Sequence, residues 1–125
     1  MPETLHPNGA LKSKYQYENG KLQGLLEVYF DNGSLESKRY YKDGELHGSI
    51  ETFFRNGQLK SKGAYQSGKK CGPSSRYHPN GYTKSLNHYL DGQLHGPHRL
   101  FNTRGELIYT GVFRTGNLAR KVLQE

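Results

Sequence analysis

Glycine recurs in this chain at a fixed interval of 24 residues, and this period constrains the fold more than any other feature. One series comprises Gly9, Gly33, Gly57, Gly81 and Gly105, and a second comprises Gly20, Gly44, Gly68, Gly92 and Gly116. A regular period of this length is typical of repeat proteins, in which each unit buries its surface against its neighbours. We therefore predict one repeat domain over residues 1–125, with repeats at about 5–24, 25–48, 49–72, 73–96 and 97–116 and a C-terminal cap at 117–125.

The composition agrees with a repeat array better than with a conventional globular core. Only 32% of the 125 residues are hydrophobic and the chain has no Trp, which is thin for two packed layers. The formal net charge of +7 favours an acidic protein, an anionic membrane or nucleic acid as a partner. Because Cys71 is the only cysteine, an intramolecular disulfide is impossible.

Each repeat carries two turn signals separated by short stretches that suit β-strands. Asn-Gly pairs mark one end, at Asn32-Gly33 and Asn56-Gly57, and Asp-Gly or related pairs mark the other end, as at Asp43-Gly44. Asn-Gly and Asp-Gly are strong hairpin signals because a type I′ turn needs a positive φ at both central residues. The pattern predicts an all-β fold: a single-layer, twisted antiparallel meander of about ten strands made of 24-residue β-hairpin repeats.

Treating both kinds of turn as two-residue turns gives a testable strand register. The face that we call face one then carries Tyr41, Leu46, Gly48, Ile50, Thr52 and Phe54, whereas the opposite face, face two, carries Lys38, Tyr40, His47 and Glu51. The predicted pairs are Lys42–Glu45, Tyr41–Leu46, Arg39–Gly48, Ser37–Ile50, Phe54–Leu59, Thr52–Ser61 and Gly48–Tyr65. A third glycine series, Gly24, Gly48, Gly72 and Gly96, has the same period as the tyrosines Tyr17, Tyr41, Tyr65 and Tyr89. The same register therefore predicts that each tyrosine ring covers a glycine of this series on the next strand.

The last residues depart from the repeat. Leu118, Val122 and Leu123 would share one face of a helix, so we predict a short capping helix over 117–125, with an added strand or a frayed tail as the alternatives. The N-terminus supplies only half a repeat and leaves an edge strand open for pairing.

The motif Tyr-x-x-Gly-x-Leu-x-Gly followed by an Asn-Gly-x-Leu half runs from Tyr41 to Gly48 and from Phe53 to Leu59. It resembles the MORN-type repeat, and more narrowly the bacterial variant found in YwqK-family antitoxins. The resemblance covers residues 5–116. It implies a single-layer β-sheet that serves as a protein-binding or lipid-associated scaffold, and the narrower resemblance implies an antitoxin.

No catalytic constellation emerges from the sequence, and we predict that the chain is not an enzyme and uses no cofactor. His88 and His95 are expected to face one another across the Asp91-Gly92 hairpin, but no third metal ligand follows from the spacing. Cys71 has no histidine partner that recurs with the repeat, so nucleophilic catalysis is not indicated.

The sequence favours a binding role instead. We predict contact with a protein partner, an acidic toxin, through Tyr41, Tyr65 and Tyr89 on face one and through Lys38, Lys60 and Lys62 on face two. The function that the resemblance implies is an antitoxin or immunity protein. A cytoplasmic location is expected because no signal peptide or membrane-spanning stretch is evident. The alternative is a structural or membrane-associated scaffold that forms a homodimer or binds anionic lipid, and nucleic acid is the least favoured partner.

Overall fold

The computed structural model describes the backbone of residues 3–122 and the side chains of residues 3–118. Its regular elements are fifteen strands, and no helix long and apolar enough to cross a membrane occurs in this part of the chain. The strands are β1 (Glu3–Leu5), β2 (Leu11–Lys14), β3 (Tyr17–Glu18), β4 (Lys21–Leu22), β5 (Gly24–Tyr29), β6 (Leu35–Lys42), β7 (Glu45–Phe53), β8 (Leu59–Gln66), β9 (Lys69–Lys70), β10 (Gly72–Tyr77), β11 (Thr83–Leu90), β12 (Gln93–Leu94), β13 (Gly96–Phe101), β14 (Leu107–Arg114) and β15 (Asn117–Val122).

Thirteen of these strands form one antiparallel sheet in which neighbours along the chain are neighbours in space. The main path is β1-β2-β5-β6-β7-β8-β10-β11-β13-β14-β15, with β9 beside β8 and β12 beside β11. The short strands β3 and β4 pair with each other only. The predicted all-β, single-layer meander of hairpin repeats is therefore confirmed, and the strand count exceeds ten because several hairpin arms are split into two strands.

The turns at one margin of the sheet follow the prediction. The five turns of the second glycine series place a non-glycine residue at positive φ before each glycine, as at Asp43 (φ 51°) and Gly44 (φ 83°). These are the dihedral signs of a type I′ hairpin turn. The Gly44 amide also donates a hydrogen bond to the Leu22 carbonyl of the preceding repeat, at 2.9 Å, so the turn holds adjacent repeats together.

The turns at the opposite margin differ from the prediction. Only glycine adopts a positive φ there, as at Gly33 (φ 90°), while Phe30 N–H bonds Ser34 O at 2.8 Å and Gly33 N–H bonds Phe30 O at 3.0 Å. This is a three-residue loop with a bulge rather than a two-residue turn. One consequence is that Phe53, not Phe54, pairs with Leu59.

The register is also shifted within the β6–β7 hairpin. The pairs nearest the turn, Lys42–Glu45 and Tyr41–Leu46, are confirmed, but Arg39 pairs with Ile50 rather than Gly48. Ser37 likewise pairs with Thr52 rather than with Ile50. A shift of two residues leaves the alternation of side chains between faces intact, because the period along a strand is two.

Gly48 explains this bulge. Its φ is +94°, a backbone conformation that residues with a Cβ adopt only with strain. Gly48 does pair with Tyr65 as predicted. However, a Cβ built on Gly48 would approach Tyr40 Cβ at 3.7 Å rather than the Tyr65 ring. The glycine is therefore required by the backbone conformation, and the proposed cover by the tyrosine ring is not its cause.

The predicted C-terminal helix is wrong over the residues that the structure describes. Asn117–Val122 is strand β15, which pairs with β14 through Arg114–Asn117 and Phe113–Leu118. The Thr115-Gly116 turn repeats the geometry of the earlier type I′ turns, and the added strand supplies hydrogen-bond partners to the edge of β14. Residues 123–125 lie outside the described region.

The sheet has no buried apolar core. Among the described residues no hydrophobic side chain is buried, and the side chains most shielded from solvent are polar: Ser13, Ser37, Ser85 and Asn87. A continuous row of face-one residues crosses the middle of the sheet through Val28, Ser37, Thr52, Ser61, Arg76, Ser85 and Leu100. The backbone ladder and the contacts between successive repeats therefore hold the array together.

Candidate binding groove

A groove of about 570 Å³ lies on face one, over strands β6 to β13. The lining at the middle of the sheet, which we call the floor of the groove, includes the small residues Thr52, Ser61 and Gly63. Aromatic side chains of Tyr65 and Tyr89 stand along one side. The groove thus crosses several repeats and is lined by small residues together with longer aromatic and charged side chains.

The groove is cationic. The charged face-one residues that line it are Arg39, Lys70 and Arg76, and no Asp or Glu of the described chain is among its lining residues. Lys62 also borders the groove, but the register pairs it with Glu51 on face two. The Nζ of Lys70 lies 4.8 Å from the centre of the Tyr89 ring, a distance at which a cation and an aromatic face attract. Charges of one sign within a recess concentrate the electrostatic field and attract anionic ligands.

Arg39 and Arg76 were not predicted as site residues. Arg39 belongs to β6 and Arg76 to β10, with β7 and β8 between them, and both line the groove and the adjoining depression of about 340 Å³. Residue parity could have identified Arg39, since it alternates with Ser37 and Tyr41 on face one. Arg76 could have been found in the same way, once Ser61 and Ser85 had been placed opposite it.

One end of the groove is formed by Asn87 and His98. The Asn87 side-chain oxygen and His98 Nδ1 are hydrogen-bonded, and the His98 ring meets Tyr109 and Phe113 edge-on, with centroids 5.6 and 5.5 Å apart. Burial lowers the pKa of His98 below its usual value of 6.5, because an apolar environment disfavours the charged imidazolium. His98 is therefore neutral at pH 7 and adds no charge to the groove.

The three tyrosines predicted on face one are not all at the groove. Tyr65 and Tyr89 line it, whereas Tyr41 lies outside its boundary. All three are partly exposed and are paired with a residue of the adjacent hairpin arm, as Tyr41 is with Leu46. The structure therefore brings two of the three beside the cationic side chains, and their role in binding stays a prediction.

The three lysines predicted to form a basic surface occupy different environments. Lys62 is exposed and borders the groove, but it pairs with Glu51 and so belongs to face two, as predicted. Lys60 is the extra residue of a bulge, and its Nζ lies 5.8 Å from the centre of the Phe54 ring. Lys60 also lines the depression beside the groove, whereas Lys38 lines neither recess.

Face two is more nearly neutral than its lysines suggested. Across the strands the register places Lys14 opposite Glu3 and Glu27, and Lys38 opposite Glu27 and Glu51. Cross-strand neighbours of opposite charge reduce each other's field. These carboxylates cannot be matched to the lysines from one strand alone, because the pairing depends on the register between neighbouring strands. Binding of a partner through Lys38, Lys60 and Lys62 stays a prediction.

A separate apolar patch lies on face one near the N-terminus. It is lined chiefly by Tyr15, Tyr17, Leu22, Leu26 and Val28 around a recess of about 290 Å³, and 56% of Tyr17 is exposed. Face one therefore presents an apolar region followed by a cationic one along the direction of the repeats.

His88 and His95 do face one another, since the His95 amide donates a hydrogen bond to the His88 carbonyl at 2.8 Å. His95 Nδ1 accepts a hydrogen bond from the Thr115 amide at 3.1 Å. Within residues 3–122 no group of three His, Cys, Asp or Glu side chains is arranged to hold a metal ion.

The fold is a repeat-built β-sheet with a groove on one face. The family model of the MORN repeat variant matches two successive segments, residues 22–43 and 46–67. These matches support the resemblance drawn from the sequence in that part of the chain, and they indicate a binding or scaffold module. No curated protein matches the chain.

The solved structures that resemble the chain are much larger proteins. The crystal structure of TarM is 12% identical, with a TM-score of 0.48 and a match over 88% of this chain and 21% of that chain. An S. aureus TarM mutant solved with fondaparinux, alpha-GlcNAc-glycerol and UDP gives the same values. A structure of accessory secretory proteins 1, 2 and 3 from Streptococcus pneumoniae is 18% identical over 84% of this chain and 18% of that chain, with a TM-score of 0.31. The chain thus spans about a fifth of the length of these proteins.

Proposed function

We propose that this chain is a non-catalytic binding module that grips an acidic partner protein in the groove on face one. The observation that carries the proposal is the positive charge of the groove, which three cationic face-one residues, Arg39, Lys70 and Arg76, line without a carboxylate. A partner with an acidic surface would be attracted from a distance and held in register, because complementary charge raises association rates and rejects other partners. The two segments that match the MORN repeat variant support a module of this kind.

The specific role that we propose is that of a cytoplasmic antitoxin or immunity protein, which blocks a toxin by occupying its active site or an essential surface. The support for it is the resemblance of the Asn-Gly-x-Leu repeats to those of YwqK-family antitoxins. A rigid sheet suits this task, since a surface that is already ordered loses little conformational freedom on binding.

The test is capture of the partner from the native source with the tagged chain, followed by reconstitution and a growth assay. A purified partner that binds in a defined stoichiometry, and whose toxicity the chain relieves on co-expression, would support the antitoxin role. A partner that binds without any toxicity to relieve would contradict that role. Failure of every purified candidate to bind would contradict the binding module itself.

A second candidate function is a scaffold that self-associates or lies on anionic membranes, and the apolar patch around Tyr17 favours it. Exposed aromatic and aliphatic side chains beside an open sheet edge can pair two copies of the chain. Sedimentation at micromolar concentration and binding to anionic vesicles would measure this function. A concentration-independent monomer that does not bind vesicles would exclude it.

A further inference from the structure

Arg39 and Arg76 reach the same part of the groove from opposite sides. Their strands, β6 and β10, are separated by β7 and β8, which corresponds to roughly 14 Å at about 4.8 Å per strand. Both side chains nonetheless line the groove and the depression beside it. The register places Ser61 and Gly63 of β8 between them on the same face.

Two polar atoms that line the groove, Arg39 Nε and the Ser85 hydroxyl oxygen, lack a hydrogen-bond partner. Arg39 Nε is shielded from solvent without a hydrogen-bond partner, as is the hydroxyl of Ser85, whose residue is only 4% exposed. Within the described region the ion pairs are Arg55–Asp31 and Arg104–Glu106, so neither Arg39 nor Arg76 forms an ion pair with a carboxylate of residues 3–118. Glu36 borders the depression but forms no ion pair with either arginine. Shielded donors without partners are unfavourable and are expected to bind an acceptor when one is supplied.

The repeat does not require arginine at either position. The residues equivalent to Arg39 in other repeats are Tyr15, Gly63, Asn87 and Gly111, and those equivalent to Arg76 are Val28, Thr52 and Leu100. These side chains share neither charge nor size, yet the strands around them keep the same pairing. The two arginines are therefore additions to the repeat, and a ligand explains them better than the fold does.

The surroundings favour a carboxylate over a phosphate. The backbone amides of the floor are engaged in the ladders that join β7, β8 and β10, so no nest of free N–H groups is available of the kind that cradles phosphate. The guanidinium groups are therefore the donors available to bind an anion, and their paired N–H groups match the two oxygens of a planar carboxylate.

We propose that Arg39 and Arg76 form a binding site for the carboxylate of an Asp or Glu side chain of the partner protein. The carboxylate sits between the two guanidinium groups above Ser61 and Gly63, with the hydroxyl of Ser85 close to the same space. This inference rests on the proposed function, because it names the group on the partner that the groove recognises.

The probe is a tetraglutamate peptide with blocked ends, and the matched control peptide is tetraglutamine. Binding is followed by NMR through the Nε–Hε signals of the arginines, at low salt, with the full chain. We expect tetraglutamate to shift the signals of Arg39 and Arg76, and tetraglutamine to leave them unchanged. The variant Arg39→Gln with Arg76→Gln should bind tetraglutamate at least tenfold more weakly.

Two further variants separate the site from general charge and from folding. Lys14→Gln with Arg99→Gln removes the same charge from face two and should keep the wild-type affinity. Arg39→Lys with Arg76→Lys keeps the charge but loses the paired donors, so it should lose most of the affinity. Urea unfolding of each variant checks that the sheet remains folded.

Equal loss of affinity in the face-two variant would overturn the site, because it would show attraction to net charge alone. Tighter binding of inorganic phosphate than of tetraglutamate at the same arginines would overturn the assignment of a carboxylate. A captured partner that binds the Arg39→Gln and Arg76→Gln variant as well as it binds the wild type would also overturn the site, while leaving the proposed function intact. Tetraglutamate binding without any protein partner would support the site and contradict the proposed function.

Discussion

Replacing Gly48 with alanine tests whether the backbone conformation or ring packing explains the third glycine series. Gly48 has a φ of +94° and lies in the bulge of β7 that shifts the register against β6. If the conformation is the reason, the substitution should destabilise the chain even though it adds a single methyl group at an exposed position.

The expected magnitude follows from the local geometry. A Cβ built on Gly48 lies 3.7 Å from Tyr40 Cβ, an ordinary van der Waals distance, so no steric overlap contributes. Forcing an L-residue into the left-handed region costs about 1–2 kcal/mol. Alanine also restricts the unfolded chain, which offsets about 0.4–1 kcal/mol of that cost. The free energy of unfolding should therefore fall by about 1 kcal/mol.

Urea unfolding followed by circular dichroism measures this change, and D-alanine at the same position is the matched control. The chain can be assembled by chemical ligation at Cys71, which permits the D-residue. D-alanine adopts a positive φ without strain, so it should leave stability unchanged or raise it by up to about 1 kcal/mol.

Equal destabilisation by L-alanine and D-alanine would refute this reasoning. Such a result would mean that the methyl group itself is not tolerated, as expected if the Tyr65 ring had to lie against the glycine. Recovery of the lost stability by the additional substitution Tyr65→Leu would then identify the ring as the cause.

Three further predictions concern the margins of the sheet. Thr115 is a β-branched residue at φ 47°, so Thr115→Asn should raise the free energy of unfolding by about 1 kcal/mol, seen as a higher urea midpoint; an unchanged midpoint would contradict it. The Arg55 guanidinium hydrogen-bonds the Asp31 carboxylate at 2.5 Å and holds the pKa of Asp31 below its usual 3.8, so Arg55→Gln should raise that pKa in an NMR titration. Because the folded-state pKa is lowered, the stabilisation by this pair is present above pH 3.8 and is lost as the pH falls through the folded-state value; Arg55→Gln should abolish that part of the pH dependence. The Asn80 side chain donates to Thr103 O at 2.6 Å and accepts from Tyr82 N–H at 3.1 Å, so Asn80→Ala should cost about 1 kcal/mol in urea unfolding, and Asn80→Asp, which keeps the acceptor, should cost less.

The sequence predicts the strands and one margin of the sheet well because these depend on local conformation. Asp43-Gly44 forms a type I′ turn wherever it joins two strands, and the Tyr41–Leu46 pair follows from the turn. The opposite margin was less predictable, since Asn32-Gly33 is compatible with both a two-residue and a three-residue loop. The three-residue loops are accompanied by hydrogen bonds to the next repeat, such as that from the Asn80 side chain to the Thr103 carbonyl.

The candidate site was less predictable than the fold because it depends on neighbours that are distant in sequence. Alternation along a strand placed Tyr65 and Arg39 on the same face correctly. It could not show that Arg76 reaches the same groove from three strands away, or that Lys38 lies opposite Glu27 and Glu51. Lys60 was assigned by alternation alone, and the bulge between Leu59 and Ser61 moved it to the side of the neighbouring depression.

The repeat length, the antiparallel meander and the type I′ turns at Gly20, Gly44, Gly68 and Gly92 follow from the sequence, because a period of 24 residues and positive-φ turn pairs leave few other folds available. Three features required the tertiary structure: the positions of the bulges, the strand formed by the C-terminal segment through Val122, and the location of the cationic groove on face one. The physical reason is that a turn is set by neighbouring residues along the chain. A bulge, an edge pairing or a groove is instead set by residues that meet only when successive repeats are hydrogen-bonded side by side.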